Sequence, residues 1–201
     1  MPIDIIIPVF NEEEILQEKR VYYNSLKQWA RIYFVDGGSS DRTVAIARKY
    51  GDIVLSNKGR AVQKNRGAYE SKSEYLCFLH VDSYITEHAL KQAQAFLAKG
   101  NSVGCFSMKI EDRKLIFRLY ERVVNWRAGA LGVFDGDLGL FIKREAFEQL
   151  GGFDKLPIMD DVAFGQKIKR SSSMKLHVLT EDIQVSSRKW YKQGFIKTFF
   201  L

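Results

Sequence analysis

The sequence predicts an α/β fold with a mainly parallel central sheet flanked by helices, and three observations support this. Strand-like and helix-like segments alternate through the first hundred residues at the spacing of βαβ units. The first strand-like run, Ile3–Val9, is almost continuously apolar, as expected of a strand covered on both faces. Polar residues follow four of the predicted strands, at the edge where open parallel sheets bind ligands.

The first half of the chain reads as four strand–helix units. Asn11, followed by three glutamates, is expected to cap the first helix, and Asp41 is expected to cap the second. The predicted strands are residues 3–9, 31–35, 52–55 and 75–79, and the predicted helices are residues 12–29, 41–50, 60–71 and 87–99.

The second half is less regular. Helix 113–127 carries a broad apolar face that includes Leu115, Leu119 and Val123, so we expect a core helix with a basic rim. Contact of this helix with a membrane surface is the alternative. Because no repeat, low-complexity tract or linker divides the chain, we predict a single domain over residues 1–201. The other predicted elements are strands 103–109, 138–143, 174–179 and 183–186 and helices 144–150, 160–170 and 188–200.

Charge is distributed unevenly along the chain. The 201 residues carry 31 Lys+Arg and 24 Asp+Glu, which gives a net charge of +7. Residues 165–201 hold most of this excess, which suits a diphosphate, a lipid phosphate or a membrane surface. There is no nucleic-acid-binding motif, so we expect no nucleic-acid partner. No apolar run reaches the ~18 residues of a membrane span, so we expect a cytoplasmic protein, with a peripheral position at the inner membrane face as an alternative.

Residues suited to a nucleotide and a divalent cation follow four predicted strands. Lys58 and Arg60 are of the type that pairs with phosphates, although both also suit a solvated loop. Asp82 offers the carboxylate oxygens that Mg²⁺ and Mn²⁺ prefer, and the imidazole of His80 is compatible with Mn²⁺ or with a structural role. The candidates, in chain order, are Pro8, Phe10, Asn11, Glu12, Asp36, Lys58, Arg60, Asn65, His80 and Asp82.

Six motifs in order along the chain resemble the family-2 glycosyltransferases, which have the GT-A (nucleotide-diphospho-sugar transferase) fold. The motifs are IPVFNEEE, VDGGSSDRT, KGRAVQKNRGA, FLHVDS, GDLGLFIKREAFEQLGGFD and PIMDDVAF. The residues of these motifs most resemble those of the bacterial selenodomain-associated transferases, in which HxD stands in place of DxD. The resemblance implies a nucleotide-binding half, residues 1–100, and an acceptor and catalytic half, residues 101–201.

The resemblance also implies a role for each candidate residue. Asp161 would be the general base of an inverting transfer, with Asp160 beside it, although either acid could instead cap helix 160–170. Asp82, with His80, would hold Mn²⁺ or Mg²⁺ against the diphosphate. Asp36 would bind the donor base or, alternatively, cap a helix. Pro8, Phe10, Asn11, Glu12, Lys58, Arg60 and Asn65 would complete the donor site, and Asp137, Arg188 and Trp190 would contact the acceptor or the diphosphate, residues 188–190 otherwise forming a helix with a buried Trp.

The expected function is therefore that of an inverting, metal-assisted glycosyltransferase of the EC 2.4 class, similar to hexosyltransferases. Its partners would be a nucleotide-diphosphate sugar and a hydroxyl acceptor, for which a lipid-linked molecule is one option. The alternative is a catalytically degenerate module of the same fold that binds a nucleotide sugar or a membrane surface. A nucleotidyltransferase is disfavoured because PVFNEEE is not a glycine-rich phosphate loop.

Overall fold

The computed structural model describes residues 2–187, which form an eight-stranded sheet with helices packed on both faces. Predicted helix 188–200, and with it Arg188 and Trp190, lies outside the described residues. The strands are β1 (Ile3–Val9), β2 (Arg31–Asp36), β3 (Asp52–Leu55), β4 (Tyr75–Phe78), β5 (Tyr84–Ile85), β6 (Val103–Ile110), β7 (Leu140–Lys143) and β8 (His177–Val185).

The sheet has the order β3-β2-β1-β4-β7-β6-β8-β5. Strands β3, β2, β1 and β4 are mutually parallel, and β6 and β8 also pair in parallel. Strand β7 runs antiparallel to both β4 and β6, and the short β5 is antiparallel to β8. The predicted α/β architecture with a mainly parallel sheet is thus confirmed, and the antiparallel β7 joins the two parallel groups.

The helices of the first half lie where they were predicted, but the helix expected at 41–50 spans only Thr43–Ala47 and the first helix is interrupted. The predicted helix 12–29 is divided at Lys19 into two helices, and Asn11 does not cap either of them. Instead Asn11 takes a left-handed conformation with φ 55°, which asparagine tolerates better than most residues. The helices are α1 (Glu13–Glu18), α2 (Arg20–Trp29), α3 (Thr43–Ala47), α4 (Arg60–Glu70), α5 (Glu87–Ala98), α6 (Leu115–Leu131), α7 (Arg144–Gln149) and α8 (Asp160–Arg170).

Alternate side chains of β1 feed two cores, one on each face of the sheet. Ile6 joins the core beneath α4, α6, α7 and α8, whereas Ile5 joins the core beneath α2 and α5. Helix α4 approaches the sheet closely at Gly67, where a Cβ atom would lie 2.5 Å from Cγ2 of Ile6 and 2.8 Å from Cγ2 of Val35. The absence of a side chain at this position therefore sets α4 directly over the ends of β1 and β2.

Helix α6 buries only part of the predicted apolar face: Val124 is in the core and Tyr120 packs against it. Leu115, Leu119 and Val123 are exposed, with 85%, 63% and 41% of their surface accessible, so the expectation that they belong to the core is wrong. The buried face includes Glu121, whose Oε1 accepts a hydrogen bond of 2.5 Å from the backbone N–H of Ile110. Backbone groups of β6 need polar partners, and Glu121 supplies one from within the otherwise apolar buried face of α6.

The C-terminal part of the sheet also differs from expectation. The two short strands predicted at 174–179 and 183–186 form the single strand β8. Its pairing with β6 shifts register between Cys105 and Ser107, and this irregularity accommodates the polar segment between the two apolar runs. None of the described helices is both long enough and apolar enough to cross a membrane.

Candidate active site

The carboxyl ends of the first strands meet at one edge, as the sequence predicted. Val9 of β1 is in register with Asp36 of β2, which in turn is in register with Leu55 of β3. The backbone N–H of Gly37 donates to the carbonyl of Val9 at 3.0 Å, and that of Ser56 donates to the carbonyl of Asp36 at 2.9 Å. The loops that carry the candidate donor residues therefore leave the sheet side by side.

The loops after β1 and β2 are joined through Asn11. Its backbone N–H donates to Oγ of Ser39 at 2.9 Å, and its Oδ1 accepts from the backbone N–H of Ser40 at the same distance. Next to it, the N–H of Glu12 donates to Oγ1 of Thr43 at 2.7 Å. The position of Asn11 thus fixes one loop against the other, and its side-chain oxygen is engaged within the chain.

Asp36 closes the turn that follows β2. Its carboxylate accepts hydrogen bonds from the backbone N–H groups of Gly38 and Ser39, at 3.0 and 3.1 Å, and from Oγ of Ser39 at 2.5 Å. These donors satisfy a buried carboxylate at the end of an apolar strand. The predicted helix-capping alternative is therefore replaced by a turn-closing role, while Asp41 accepts from the N–H of Thr43 at the start of α3.

An aromatic ring and a cation lie together beside this turn. The ammonium of Lys58 stands 3.8 Å from the centroid of the Phe10 ring, which is a cation–π contact. Pro8 and Phe10 are partly exposed, so a flat surface with a positive edge lies at the ends of β1 and β3. Such a surface suits a planar ring carrying phosphates, and Lys58 remains an exposed loop residue.

Three consecutive polar residues of α4 anchor three separate segments. The Nε2 of Gln63 donates to the carbonyls of Val9 and Val35, at 2.9 and 2.7 Å. The amide of Asn65 donates to the carbonyl of Phe153 at 2.8 Å and accepts from its N–H at 2.9 Å. Both polar ends of Asn65 are thus bonded within the chain, which gives it a structural role in place of the predicted donor contact.

The third of these residues, Lys64, holds the two acids at the start of α8. Its Nζ lies 2.9 Å from Oδ2 of Asp160 and 2.5 Å from Oδ1 of Asp161, and all three residues are buried. Arg60, one turn earlier in α4, brings a second cation to 3.7 Å from Oδ1 of Asp160. The alternative that either acid caps α8 is wrong, because that helix has no side-chain cap and begins after Met159 in a left-handed conformation.

The sequence analysis overlooked Gln63 and Lys64. Ala61, Lys64 and Ala68 share the buried face of α4 at helical spacing, so the pattern itself places a lysine among small apolar residues. A lysine on a buried face requires an acidic partner. That reasoning would have found Lys64, although not the identity of its partners.

His80 and Asp137 lie next to the acid pair. Nδ1 of His80 is 2.8 Å from Oδ1 of Asp137, and its Nε2 is buried without a hydrogen-bond partner. Gly136 passes between His80 and Asp161, where a Cβ atom would lie 2.6 Å from Nε2 and 2.3 Å from Oδ2 of Asp161. Burial lowers the pKa of His80, but the Asp137 carboxylate outweighs burial, and the net pKa lies above the ordinary 6.5.

Glu12 and Asp82 line a cleft of about 400 Å³. Burial, followed by the charges of Asp82 and Asp41, raises the pKa of Glu12 above its ordinary value. Lys19 reaches over the cleft and donates to the backbone carbonyls of Asp82 and Ser83. The charged lining residues are Lys19 and seven acids, namely Glu12, Glu13, Glu14, Glu18, Asp41, Asp82 and Glu111.

The metal-binding capacity of this region is limited to a few ligands. Within residues 2–187, no group of three or more His, Cys, Asp or Glu side chains is placed to hold a metal ion. His80 nevertheless has the geometry of a metal-ligating histidine, because a carboxylate fixes one ring nitrogen and the other is unpartnered. Its Nε2 faces Gly136 and the Asp161 carboxylate, so His80 and Asp82 would supply at most two ligands and other oxygens would have to complete the coordination.

Comparison with known proteins decides the family. The model of Glycosyl transferase family 2 matches residues 4–176, which is most of the chain. The chain belongs to glycosyltransferase family 2. In sequence, this glycosyltransferase is 27% identical over 116 residues to the Staphylococcus aureus poly(ribitol-phosphate) β-N-acetylglucosaminyltransferase TarS. That match covers 51% of this chain and 20% of TarS, so the chain corresponds to a small part of that relative.

Solved structures that are similar to this glycosyltransferase share its GT-A fold. Residues 1–349 of Staphylococcus aureus TarS align with a TM-score of 0.71 at 20% identity, over 95% of this chain and 62% of that one. The same TarS fragment is known in complex with UDP-GlcNAc. The mannosyltransferase PcManGT of Pyrobaculum calidifontis, in complex with GDP-Man and Mn²⁺, aligns with a TM-score of 0.69 at 20% identity, over 90% of this chain and 56% of that one.

Proposed function

We propose that this family-2 glycosyltransferase moves a sugar from a nucleotide-diphosphate donor to an acceptor hydroxyl with inversion at the anomeric carbon. The observation that carries the proposal is the buried Asp161 carboxylate, whose Oδ1 contacts Lys64 while its Oδ2 lies at the close approach of Gly136 and His80. In the transfer, the acceptor oxygen bonds to the anomeric carbon as its proton passes to Oδ2 of Asp161. The bond from that carbon to the diphosphate breaks, and the nucleoside diphosphate leaves with the electron pair.

The donor would bind at the shared edge of β1, β2 and β3. The Phe10 ring under Lys58 offers a flat surface for the base, and the Asp36 turn lies beside it. Pro8 and Glu12 line the same strand end, and Arg60 at the start of α4 would face the diphosphate. The nucleotide sugars bound by TarS and PcManGT support this class of donor.

A divalent cation, Mn²⁺ or Mg²⁺, would be held by Asp82 and His80 together with oxygens of the donor diphosphate. The fit depends on the buried, unpartnered Nε2 of His80, which Asp137 orients through the other ring nitrogen. When bound, such a cation stabilises the charge that develops on the leaving diphosphate. PcManGT with Mn²⁺ and the Mycobacterium tuberculosis glucosyl-3-phosphoglycerate synthase with Mg²⁺ or Mn²⁺ support this use of a metal.

Two features favour a second candidate function. In it, the chain is a degenerate module that binds a nucleotide sugar without transferring it. The described residues supply only two metal ligands, and the histidine of HVDS replaces an acid of the more usual DxD pattern. This histidine and the GDLGLF motif are also the basis on which we propose that the chain belongs to the selenodomain-associated subgroup. Arg188 and Trp190 would add contacts to the acceptor or diphosphate in either case.

A thermal-shift panel of nucleoside diphosphates and nucleotide sugars, with and without Mn²⁺, tests the donor site. We expect a shift for one base that requires the metal and is lost in Asp82→Ala. Release of nucleoside diphosphate, with the anomeric configuration of the product determined by NMR, then separates an inverting enzyme from a module that only binds. A shift without turnover for any acceptor supports the degenerate alternative, and the absence of any shift contradicts the donor site.

We also propose that helix α6 rests on an anionic membrane surface at the cytoplasmic face, where a lipid-linked acceptor would be within reach. Leu115, Leu119, Val123 and Trp126 form an exposed stripe one helical turn apart, with Trp126 64% accessible. The exposed basic residues Arg113, Lys114 and Arg122 lie on or before the same helix and are complementary to acidic headgroups.

Co-sedimentation tests this surface by comparing the binding of the chain to phosphatidylglycerol vesicles with its binding to phosphatidylcholine vesicles. We expect the wild-type chain to bind the anionic vesicles and Leu119→Glu to bind them markedly less. Val21→Glu is the matched control, because Val21 is 71% accessible on α2, on the opposite face of the sheet. Equal binding by the Leu119 and Val21 variants would remove α6 as the contact.

A further inference from the structure

We infer that Lys64 is a positioning residue that holds the Asp161 carboxylate in place for the transfer, an inference that rests on the proposed function. The ammonium of Lys64 contacts Oδ1 of Asp161 at 2.5 Å, and its side chain is only 2% accessible. The ring of Phe153 covers the ammonium, with its centroid 4.6 Å away. The contact is therefore shielded from water, which strengthens an ion pair of this kind.

Lys64 leaves one oxygen of Asp161 available. Oδ1 is bound to the ammonium, while Oδ2 faces the point that a Cβ atom of Gly136 would occupy. The unpartnered Nε2 of His80 faces the same point from the other side. One contact thus selects which oxygen of the acid is held by Lys64 and which oxygen lies at the close approach of Gly136 and His80.

The position of Lys64 is itself fixed to the donor half of the molecule. Gln63, its neighbour on α4, is hydrogen-bonded to the carbonyls at the ends of β1 and β2. Lys64 reaches from the same helical turn to α8, 97 residues further along the chain at Asp161. Lys64 therefore links the acid directly to the helix that is bound to the donor-binding strand ends, and displacement of a reacting group by about 1 Å lowers rates about 100-fold.

Substitution of Asp160 allows the effect of Lys64 on charge balance to be separated from its effect on the position of Asp161. Replacing Lys64 by Met leaves two adjacent buried carboxylates, which is expected to destabilise the fold whatever the function of Lys64. The double variant Lys64→Met with Asp160→Asn keeps the net charge of the wild-type group but lacks the contact to Oδ1 of Asp161. Asp160→Asn alone keeps that contact.

The test compares kcat, donor KM and melting temperature across these variants, with nucleotide-sugar turnover as the assay. We expect Lys64→Met to lower kcat about 10- to 100-fold both in the wild-type chain and in the Asp160→Asn variant, with donor KM changed less than about threefold. The melting temperature should recover in the double variant while kcat does not. Lys167→Met is the matched control, because Lys167 pairs with Asp154 at 2.6 Å, outside the site.

Three outcomes would overturn the inference. Equal kcat for the double variant and Asp160→Asn would mean that Lys64 only balances charge. Complete loss of turnover in Asp160→Asn would make Asp160 the base and remove Asp161 from that role. A wild-type chain that turns over no nucleotide sugar would defeat the proposed function and this inference together. The first outcome leaves the proposed function intact, and the second leaves sugar transfer intact but moves the base from Asp161 to Asp160.

Discussion

Two groups of acids lie near the same edge of the sheet and differ in their cationic partners. The pair Asp160 and Asp161 is buried and already contacts Lys64 and Arg60. The cleft lined by Glu12 and Asp82 holds seven acids, of which Glu13 is paired with Arg42, and Lys19, the lysine among its lining residues, is bound to backbone carbonyls. Accordingly, burial and then neighbouring carboxylates raise the pKa of Glu12.

The difference indicates which part of the site is complete and which part depends on a ligand. A carboxylate that already contacts a cation is held in one orientation before substrate binds, which suits a base. Carboxylates that repel one another are relieved by a cation brought from solution, which suits a metal that binds with the donor. If this contrast holds, the largest effect of substitution is expected at the acid pair.

Asp161→Asn should give the largest loss of transfer. The amide keeps the shape of the side chain but accepts no proton, so kcat should fall about 10²- to 10⁴-fold, the range typical of general-base removal. Donor binding with Mn²⁺, measured by the thermal shift, should remain. Wild-type turnover in this variant would show that the base is another group and that the Lys64 contact serves the fold alone.

Asp137→Asn should weaken the metal site without removing a ligand. Its carboxylate orients His80 at 2.8 Å, and loss of such a partner lowers metal affinity about 10- to 100-fold. The Mn²⁺ concentration that gives half of the donor-induced thermal shift should rise accordingly. Asp154→Asn is a suitable control, since that residue pairs with Lys167 outside the site. An unchanged Mn²⁺ midpoint in Asp137→Asn would mean that His80 does not bind the metal.

The parallel strands and their polar ends were predictable because short-range patterns determine them. Apolar runs such as Ile3–Val9 announce strands covered on both faces, and the acids that follow Val35 and Leu79 stand out against them. The division of the first helix at Lys19 was not predictable, since apolar residues continue at helical spacing through it. The hydrogen bonds of Gln63, Lys64 and Asn65 were not predictable either. Their partners, such as Asp161 and Phe153, are far away in the sequence.

Helix α6 shows a different reason for failure. Leu115, Leu119 and Val123 are exposed, whereas Phe117, Val124 and Ala128 are buried together with Glu121. Glu121 and the half-buried Asn125 also accept hydrogen bonds from backbone N–H groups of β6. Hydrophobic periodicity records where apolar side chains lie and carries no information on unpaired backbone groups of a neighbouring strand. The sequence therefore located the helix and misassigned its orientation.

Glu121 supplies the smallest expected effect and a structural counterpart to the acid pair. It contacts Arg118 at 3.0 Å and the N–H of Ile110, much as Asp161 contacts Lys64, but it lies outside the proposed site. Burial raises the pKa of Glu121 above its ordinary 4.5, so the folded chain binds this proton more tightly than the unfolded chain. Its contribution to stability is fully present below pH 4.5 and is lost as pH rises through the folded-state pKa.

Glu121→Gln should therefore change the unfolding free energy by no more than about 1 kcal/mol at neutral pH, because the amide still accepts from Ile110. Its stability relative to wild type should increase as pH rises from 4.5 towards 7, as urea titrations would show. Glu121→Leu leaves the Ile110 N–H unpaired and should cost about 1–3 kcal/mol. Sugar transfer should be unchanged in Glu121→Gln, and a loss of kcat there as large as in Lys64→Met would mean that buried acid–cation pairs in this fold affect catalysis through stability alone.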